Sequence, residues 1–459
     1  MVNTNSEVRQ YRIRDYGTIP VPEIAVSDIE NFRHIANRSI QDLCNKKDSN
    51  LLIFPDVEHL LKNGIGEQTI CTLDDTQLQA GDLMGFIGRG NSQLTISSRF
   101  ATADQEDYFL HYMVQRVFDI NLFDLKHASS KNRIFDFLTL LFPYYLKRAL
   151  KQGIYKKYKT IAHNDANVKG GIDISKQIRL NTPFTGRIAY SVKEFSYDNE
   201  LTQLIRHTIE CIRTTPQASV LKADPDTEAF VLQICQITPS YSQQARRKII
   251  SSNLRPVTHP YYVAYRELQK LCIQILTHRG LKYGQNKDDI YGLLFSGSWL
   301  WEEFLYKTLL HDCGFRHPQN RLGKGSIYLF EKATSSEMER YSRCKRYPDY
   351  IKEDFILDAK YKKLDSKHIN RDDMHQLISY MYVEQASKGG FIHPQQTTQI
   401  QPVVRTLGAL RGYGGTIYLI GVPIPTDAKS YQDFIEQMQQ AQQRLKQNIR
   451  RLEINSFNK

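Results

Sequence analysis

Residues 346–363, RYPDYIKEDFILDAKYKK, constrain the fold more than any other stretch of this chain. Strand-forming residues stand on either side of Glu353-Asp354, which predicts a tight hairpin turning at that pair. With the turn there, Asp349 lies opposite Asp358, and Ile351 lies opposite Ile356 on one sheet face. Side chains two apart on a strand point the same way, so Lys360 shares the face of Asp358. The pattern therefore gathers two carboxylates and an amine on one patch.

That combination has a specific chemical use. Paired carboxylates are hard oxygen ligands suited to Mg²⁺, which keeps several waters and also contacts a substrate phosphate. A bound divalent ion lowers the pKa of water and stabilises charge developing on phosphorus, and a neighbouring amine orients the attacking water or stabilises the pentavalent state. Mg²⁺, or Mn²⁺ in its place, is the expected cofactor, with Asp349 and Asp358 as ligands and Lys360 as the catalytic amine. A surface ion pair between Asp358 and Lys360 is the plainer alternative, but it accounts for neither Pro348-Asp349 nor the flanking β run.

The whole sequence is compatible with a polyanionic partner. Its 459 residues suffice for two or three domains, and 61 basic against 49 acidic residues give a net charge of +12. The seven cysteines are scattered without CxxC or Cys/His zinc spacing, so reduced thiols, most of them buried, are expected. The first residues lack an apolar signal region, and no stretch approaches a membrane span, which points to the cytoplasm. A G-x-x-x-x-G-K-S/T phosphate loop is absent, so nucleotide binding by that motif is excluded.

Taken in order, the chain reads as multidomain α+β: a β-rich N-terminal module over 1–100, a mainly helical middle region over 101–285, and a C-terminal α/β module with a mixed sheet over 286–459. In the first part YRIRDYGTI, LLIFPDV and DLMGFIGRGNSQLTISSRF are β-like, the last forming a hairpin across Gly88 to Ser92, while IENFRHIANRSIQDLCN has helical spacing. Helical patterns follow in DYFLHYMVQRVF and in RIFDFLTLLFPYYLKRALKQG, the second interrupted by Pro143. YKKYKT at 155–160 is either a phosphate-tracking run or a solvated helix end. Gly170-Gly171 marks a tight backbone point, and Ile188, Tyr190 and Val192 form a strand entering EFSYDN. There Asp198 or Asn199 caps a helix with the face Leu201, Leu204, Ile205, Thr208 and Ile209. Arg246, Arg247 and Lys248 offer a surface for a nucleic-acid backbone.

From residue 291, YGLLFSGSWLWEEFLYKTLLHDCGF reads as an apolar helix carrying Glu302 and Glu303. Adjacent helix positions point about 100° apart, so only one of them can face a buried site. GSIYLFEKA predicts a strand, the run at 335–346 a charged loop, and Asp373 to Tyr380 the start of a helix with Gln376 and Tyr380 on one face. That pair either contacts a nucleic-acid backbone, braces the metal site, or is an ordinary surface pair. KGGFIHP and GGTIYLIGVPI supply two more strands, and the Gln-rich C-terminal run places Phe434, Met438, Leu445, Ile449 and Leu452 along one helix face.

Together these motifs resemble the McrC family, the nuclease subunits of McrBC-type modification-dependent restriction systems. Trp301-Glu302-Glu303-Phe304-Leu305 is similar to the family's FE-x-Y/F-V helix, with Trp301 in place of Phe and Glu302 at the acid. Pro348-Asp349 and Asp358-Ala359-Lys360-Tyr361-Lys362 match its hairpin, although Tyr347 separates Arg346 from Pro348. Asp373 to Tyr380 matches its D-x-x-Q-x-x-x-Y helix, and Lys169-Gly170-Gly171 followed by EFSYDN its middle region. The resemblance implies a C-terminal PD-(D/E)xK (restriction-endonuclease-like) domain that cleaves double-stranded DNA with Mg²⁺. It makes Glu302 an accessory ligand, Gln376 and Tyr380 supporting residues, and Lys362 a DNA contact. It also implies a partner, a McrB-like AAA+ GTPase hexamer whose hydrolysis the chain stimulates; the resemblance carries over no activating residue, and Arg89 and Lys169 are candidates named on their positions in this sequence alone. A non-catalytic ring-capping activator and an independent DNA-repair or junction nuclease are the competing functions.

Overall fold

The computed structural model describes residues 9–45, 49–55, 67–101, 107–118, 133–278, 290–318, 325–330, 344–364, 369–412 and 414–454. Most of the charged loop expected at 335–346, residues 335–343, lies outside them. The chain divides into two compact units, Met1–Leu122 with Asn286–Lys459, and Phe123–Gln285.

Two five-stranded sheets organise the first unit. In one, the strand order is Arg9–Arg14, Ser92–Ser97, Leu83–Arg89, Ile290–Ser296, Ser49–Phe54. The expected hairpin is present as Leu83–Arg89 antiparallel to Ser92–Ser97, with Gly90 at φ +58° in its turn. Helices Val26–Arg33 and Ile40–Asn45 bring Phe32, Ile40 and Leu43 into a core with Leu83, Ile87, Leu94 and Ile96.

The sequence pattern places the segment from residue 291 at the start of a helix in the C-terminal module. Ile290–Ser296 is instead a strand, antiparallel to Leu83–Arg89 and parallel to Ser49–Phe54. Six of its seven residues are buried, and a short continuous apolar run does not distinguish a buried strand from a buried helix. Its pairing joins chain segments that sequence order places in modules 1–100 and 286–459.

The second sheet has the order Tyr350–Lys352, Phe355–Ala359, Lys388–Thr397, Thr416–Pro425, Val403–Ala409. The inner pairings are parallel and both edge strands are antiparallel, so the sheet is mixed as expected. Val403–Ala409 is a strand the sequence reading did not assign, and the strand predicted within 325–333 is only Ile327–Tyr328, paired with Lys345–Arg346. Helix Arg371–Glu384 connects the parallel pair and packs Leu377, Tyr380 and Met381 onto Ile356 and Phe391. The C-terminal helix Tyr431–Ile454 buries Phe434, Met438, Leu445 and Ile449, four of the five residues predicted for its apolar face.

In the second unit, helices Arg133–Leu150, Glu200–Arg213, Pro225–Ile237, Arg246–Ser252 and Ala264–His278 account for the expected helical content. Pro143 does not interrupt the first of them. A helix-interior proline forfeits one N–H bond, and the burial of Leu138, Leu141, Phe142, Leu146 and Ala149 around it offsets that loss. The unit also contains an antiparallel sheet, in which Ile188–Ser196 pairs with Lys157–Asp165 and with Gly171–Ile172. Residues 157–160 are therefore strand and not a helix end. The strand pairing sets Tyr158 opposite Phe195, with ring centroids 4.8 Å apart. A Cβ at Gly170 would collide with the Ser191 carbonyl, which explains the tight point read there.

Asn199, the second of the two candidate caps, closes the N-terminus of Glu200–Arg213. Its Oδ1 accepts from the N–H of Leu201 and Thr202 at 3.1 and 3.3 Å, and Thr202 Oγ1 accepts from Asn199 N–H at 3.1 Å. Asp198 instead accepts from Gln203 Nε2 and from Ser240 N–H. All five residues of the predicted apolar face are buried. Cys71, Cys211, Cys272 and Cys313 are buried, and none of the seven cysteines forms a disulfide. Among the described residues no helix is long and apolar enough to cross a membrane.

Asn199→Ala is expected to destabilise the second unit by roughly 1–2 kcal/mol, the usual worth of an N-cap side chain. Calorimetry should show its transition falling by about 2–5 °C. An unchanged transition would mean that the cap contributes nothing.

Candidate active site

The hairpin forms in the predicted register. Tyr350 pairs with Leu357, Ile351 with Ile356 and Lys352 with Phe355, and Glu353 turns the chain at φ +41°. Asp349 sits one residue before the first strand, where its Oδ2 accepts from Ala359 N–H at 2.6 Å. This bond fixes the carboxylate beside the end of the strand that carries Asp358.

Asp358 is 2% exposed. Lys360 Nζ lies 2.7 Å from its Oδ2, close enough for a strong charge contact, yet that oxygen has no well-aligned hydrogen-bond donor. The same ammonium is 3.1 Å from Asp373 Oδ1, while Lys362 Nζ is 2.7 Å from Asp373 Oδ2. Asp373 comes from the first turn of Arg371–Glu384, so helix and hairpin are bridged by charge.

Helix Gly297–Leu305 brings Glu302. The helix is seated by Leu300, Trp301, Phe304 and Leu305, and Tyr350 Oη donates to the Glu302 carbonyl at 2.7 Å. Glu303 turns toward His317, whose Nε2 is 4.0 Å away. His317 is a residue that sequence reasoning missed. Its Nδ1 lies 2.6 Å from the Asp349 carbonyl, which can only accept, so Nδ1 carries the proton. The ring packs between Tyr306 and Tyr350, each 5.2 Å away, and backbone bonds between Arg316 and Ile351 hold the segment in place. Its hydrogen-bond partner, Asp349, lies more than 30 positions along the chain, so no local spacing announces it.

Burial dominates the electrostatics. It pushes Asp349 up to about 6, despite the Ala359 N–H and Lys360. Burial and then the Asp349 charge push Asp358 up to about 7, against the pull of Lys360. Glu302 is raised well above the usual carboxylate range by burial and by Asp349, Asp358 and Glu303. Burial alone would lower Lys360, but Asp358, Asp349 and Asp373 outweigh it and keep the amine protonated. Asp373, although partly buried, is held low by Lys362 and Lys360.

The donor set suits a hard divalent cation. It comprises carboxylates whose mutual repulsion such an ion would relieve, and a buried Asp358 oxygen without an aligned donor. Among the described residues no three such side chains are already gathered about one ion position.

The remaining candidates separate. Gln376 Nε2 donates to Tyr380 Oη at 2.8 Å, and the charges of Asp349 and Asp358 reach Tyr380, so this pair belongs to the site's edge. Lys362 is engaged with Asp373. Arg89 lies in the N-terminal sheet with its Nη1 3.2 Å from Asn31 Oδ1. Lys169, Arg246, Arg247 and Lys248 belong to the second unit, where Lys169, Arg247 and Lys248 are exposed and Arg246 donates to the Leu276 carbonyl.

Between the two lysines, Tyr361 projects into the N-terminal part of the unit. Its hydroxyl is 2.8 Å from Ser98 Oγ and 3.2 Å from Met84 Sδ, and its ring meets Phe100, Arg99 and Trp301. Gly297 makes room for it, since a Cβ there would press into the ring.

The raised carboxyls predict a pH dependence. A group whose folded pKa exceeds its unfolded value contributes stability that is fully present below about pH 4 and is lost as pH rises through the folded value, here near 6 for Asp349 and 7 for Asp358. In the absence of divalent cations, Asp358→Asn should therefore stabilise the protein at pH 8 by roughly 1–3 kcal/mol, with the gain shrinking toward pH 5. Thermal melts in chelator at the two pH values check this, and a lower melting temperature at pH 8 contradicts it.

No curated protein matches the chain. Among solved structures, a half-complex from a tetradecameric assembly of Thermococcus gammatolerans McrB AAA+ hexamers with bound McrC aligns with TM-score 0.48 and 15% identity over 97% of this chain and 100% of the other. A chain of the Thermococcus gammatolerans McrBC complex aligns with TM-score 0.33 and 16% identity over 66% and 88%. The family described as McrBC 5-methylcytosine restriction system component matches residues 78–394, a span that includes Glu302, the hairpin and Asp373 to Tyr380. The chain belongs to that family.

Proposed function

We propose that this chain is the McrC-like nuclease subunit of a restriction system, a Mg²⁺-dependent endonuclease of the PD-(D/E)xK type that hydrolyses DNA phosphodiester bonds. The observation that carries the reading is the buried Asp358–Lys360 contact beside Asp349, on the hairpin of a mixed sheet. Membership of the family supports it.

In this reading Asp349 and Asp358 hold the cation and Glu302 is an accessory ligand. When bound, Mg²⁺ activates water and stabilises charge on the phosphate oxygens. Lys360, held protonated by its acidic neighbours, is placed to orient the attacking water and to stabilise the pentavalent phosphorus. The Ala359 N–H fixes the rotamer of Asp349, and His317 holds the backbone of the same residue. Tyr350 ties Glu302's helix to the hairpin, while Gln376 and Tyr380 brace the edge. Lys362 extends the basic surface toward a DNA backbone.

The proposed partner is a McrB-like AAA+ GTPase hexamer that recognises DNA, translocates along it, and is stimulated by this chain. The absence of a phosphate-loop motif from the sequence fits a division of labour in which the motor is a separate subunit.

Asp358→Ala should reduce Mg²⁺-dependent DNA cleavage by more than 100-fold in the presence of the motor, while co-purification with it is unchanged. Cleavage surviving in that variant would rule out the site. Full cleavage by the wild-type chain without any motor would instead favour an independent nuclease.

A further inference from the structure

The acids and lysines of the candidate site form a relay with one member that the proposed chemistry leaves without a task. The charge of Asp373 reaches Asp358, yet it is the two lysines that converge on it: Lys360 on Oδ1 at 3.1 Å and Lys362 on Oδ2 at 2.7 Å. Lys360 is thus shared between two carboxylates on different elements, Asp358 on the hairpin and Asp373 on helix Arg371–Glu384.

This sharing creates a conflict with the cation. Asp358 Oδ2 is the oxygen nearest Lys360, and it is also the buried oxygen that lacks an aligned donor. An ammonium and a divalent ion drawn to the same oxygen repel each other, and the repulsion is strong in a site shielded from water. Lys360 must therefore yield Asp358 as the ion arrives. An ammonium moved without a partner would be costly to leave in so buried a place, because an uncompensated charge loses its solvation. Asp373 removes that cost by providing a second carboxylate already within reach. Lys362 pins its far oxygen, which keeps the near oxygen turned toward Lys360.

We propose that Asp373 is a positioning residue that receives the Lys360 ammonium when a divalent cation takes Asp358, so that the lysine stays protonated and close to the site without competing for the ligand oxygen. The inference rests on the reading of Asp349 and Asp358 as the cation site. Its logic is exchange of partners by one ammonium, and no proton transfer is involved.

The test is Mn²⁺ binding to the full chain, measured by calorimetry and by the loss of the free-ion electron paramagnetic resonance signal, with no cleavage readout required. Asp373→Asn leaves Lys360 with Asp358 as its one carboxylate at ion-pair distance among the described residues, and should weaken Mn²⁺ binding by about 10-fold, in the range seen when outer partners of metal ligands are removed. Lys360→Met should bind Mn²⁺ at least as tightly as wild type. In the double variant Lys360→Met/Asp373→Asn the competing ammonium is gone, so affinity should return to that of Lys360→Met. A purely architectural role for Asp373 would weaken binding equally in both backgrounds, and that result would overturn the proposal. So would wild-type affinity in Asp373→Asn. If Asp373→Asn proves unstable, Asp373→Glu serves instead and should keep affinity within about 3-fold of wild type; a loss as large as that expected for Asn would likewise overturn it. Failure of the wild-type protein to bind Mn²⁺ at all would instead overturn the assignment of the cation site itself.

Discussion

Everything in the first unit converges on one electrostatic difficulty: carboxyl groups withdrawn from water beside one another. Asp349, Asp358 and Glu302 each resist ionisation, and Lys360 is the cation that offsets part of their repulsion. The fold maintains this unfavourable arrangement through many ordinary contacts. An N–H from Ala359 holds one acid, and a tyrosine hydroxyl holds the helix of another. A histidine braces the backbone of Asp349, and two aromatic rings in turn pack against that histidine. Local stability given up for charge placement is what marks these residues as a candidate functional site.

The sequence announced those parts whose geometry is set within a few residues. The hairpin register followed from a two-residue turn, so Ile351 opposite Ile356 was readable, and with it the approach of Asp349 to the second strand. Asn199 as a cap, the apolar face behind it, and most of the C-terminal helix stripe were readable for the same reason. The seven-residue strand from Ile290 was not readable, because its neighbours, Leu83–Arg89 and Ser49–Phe54, come from the other end of the chain. Nor was the sheet around Lys157–Asp165, where alternating lysines and tyrosines carry a weak period that only cross-strand pairing with Ile188–Ser196 resolves.

The site itself divides along the same line. Asp358 and Lys360 share a face by strand alternation, and that could be read from two letters of spacing. Placing Glu302 beside them required a helix seated by Trp301 and Phe304 against Phe109 and Tyr112, contacts that cross almost 200 residues of chain. His317 and the double engagement of Asp373 had no sequence signal beyond residue type, since each depends on where a separate element comes to rest.

Tyr361 has a mechanical consequence. It is the middle residue of Lys360-Tyr361-Lys362, just past the end of strand Phe355–Ala359, and its ring fills a socket lined by Met84, Ser98, Phe100 and Trp301. The backbone between the two lysines is thereby tied to side chains far away in sequence. Through Met84 and Ser98, the hairpin of Leu83–Arg89 and Ser92–Ser97 is joined to the segment that carries Lys360 and Lys362. Tyr361 is one of several such ties, Gln396 Nε2 to the Phe100 carbonyl being another, so the segment that carries both lysines is anchored to residues from the opposite end of the chain.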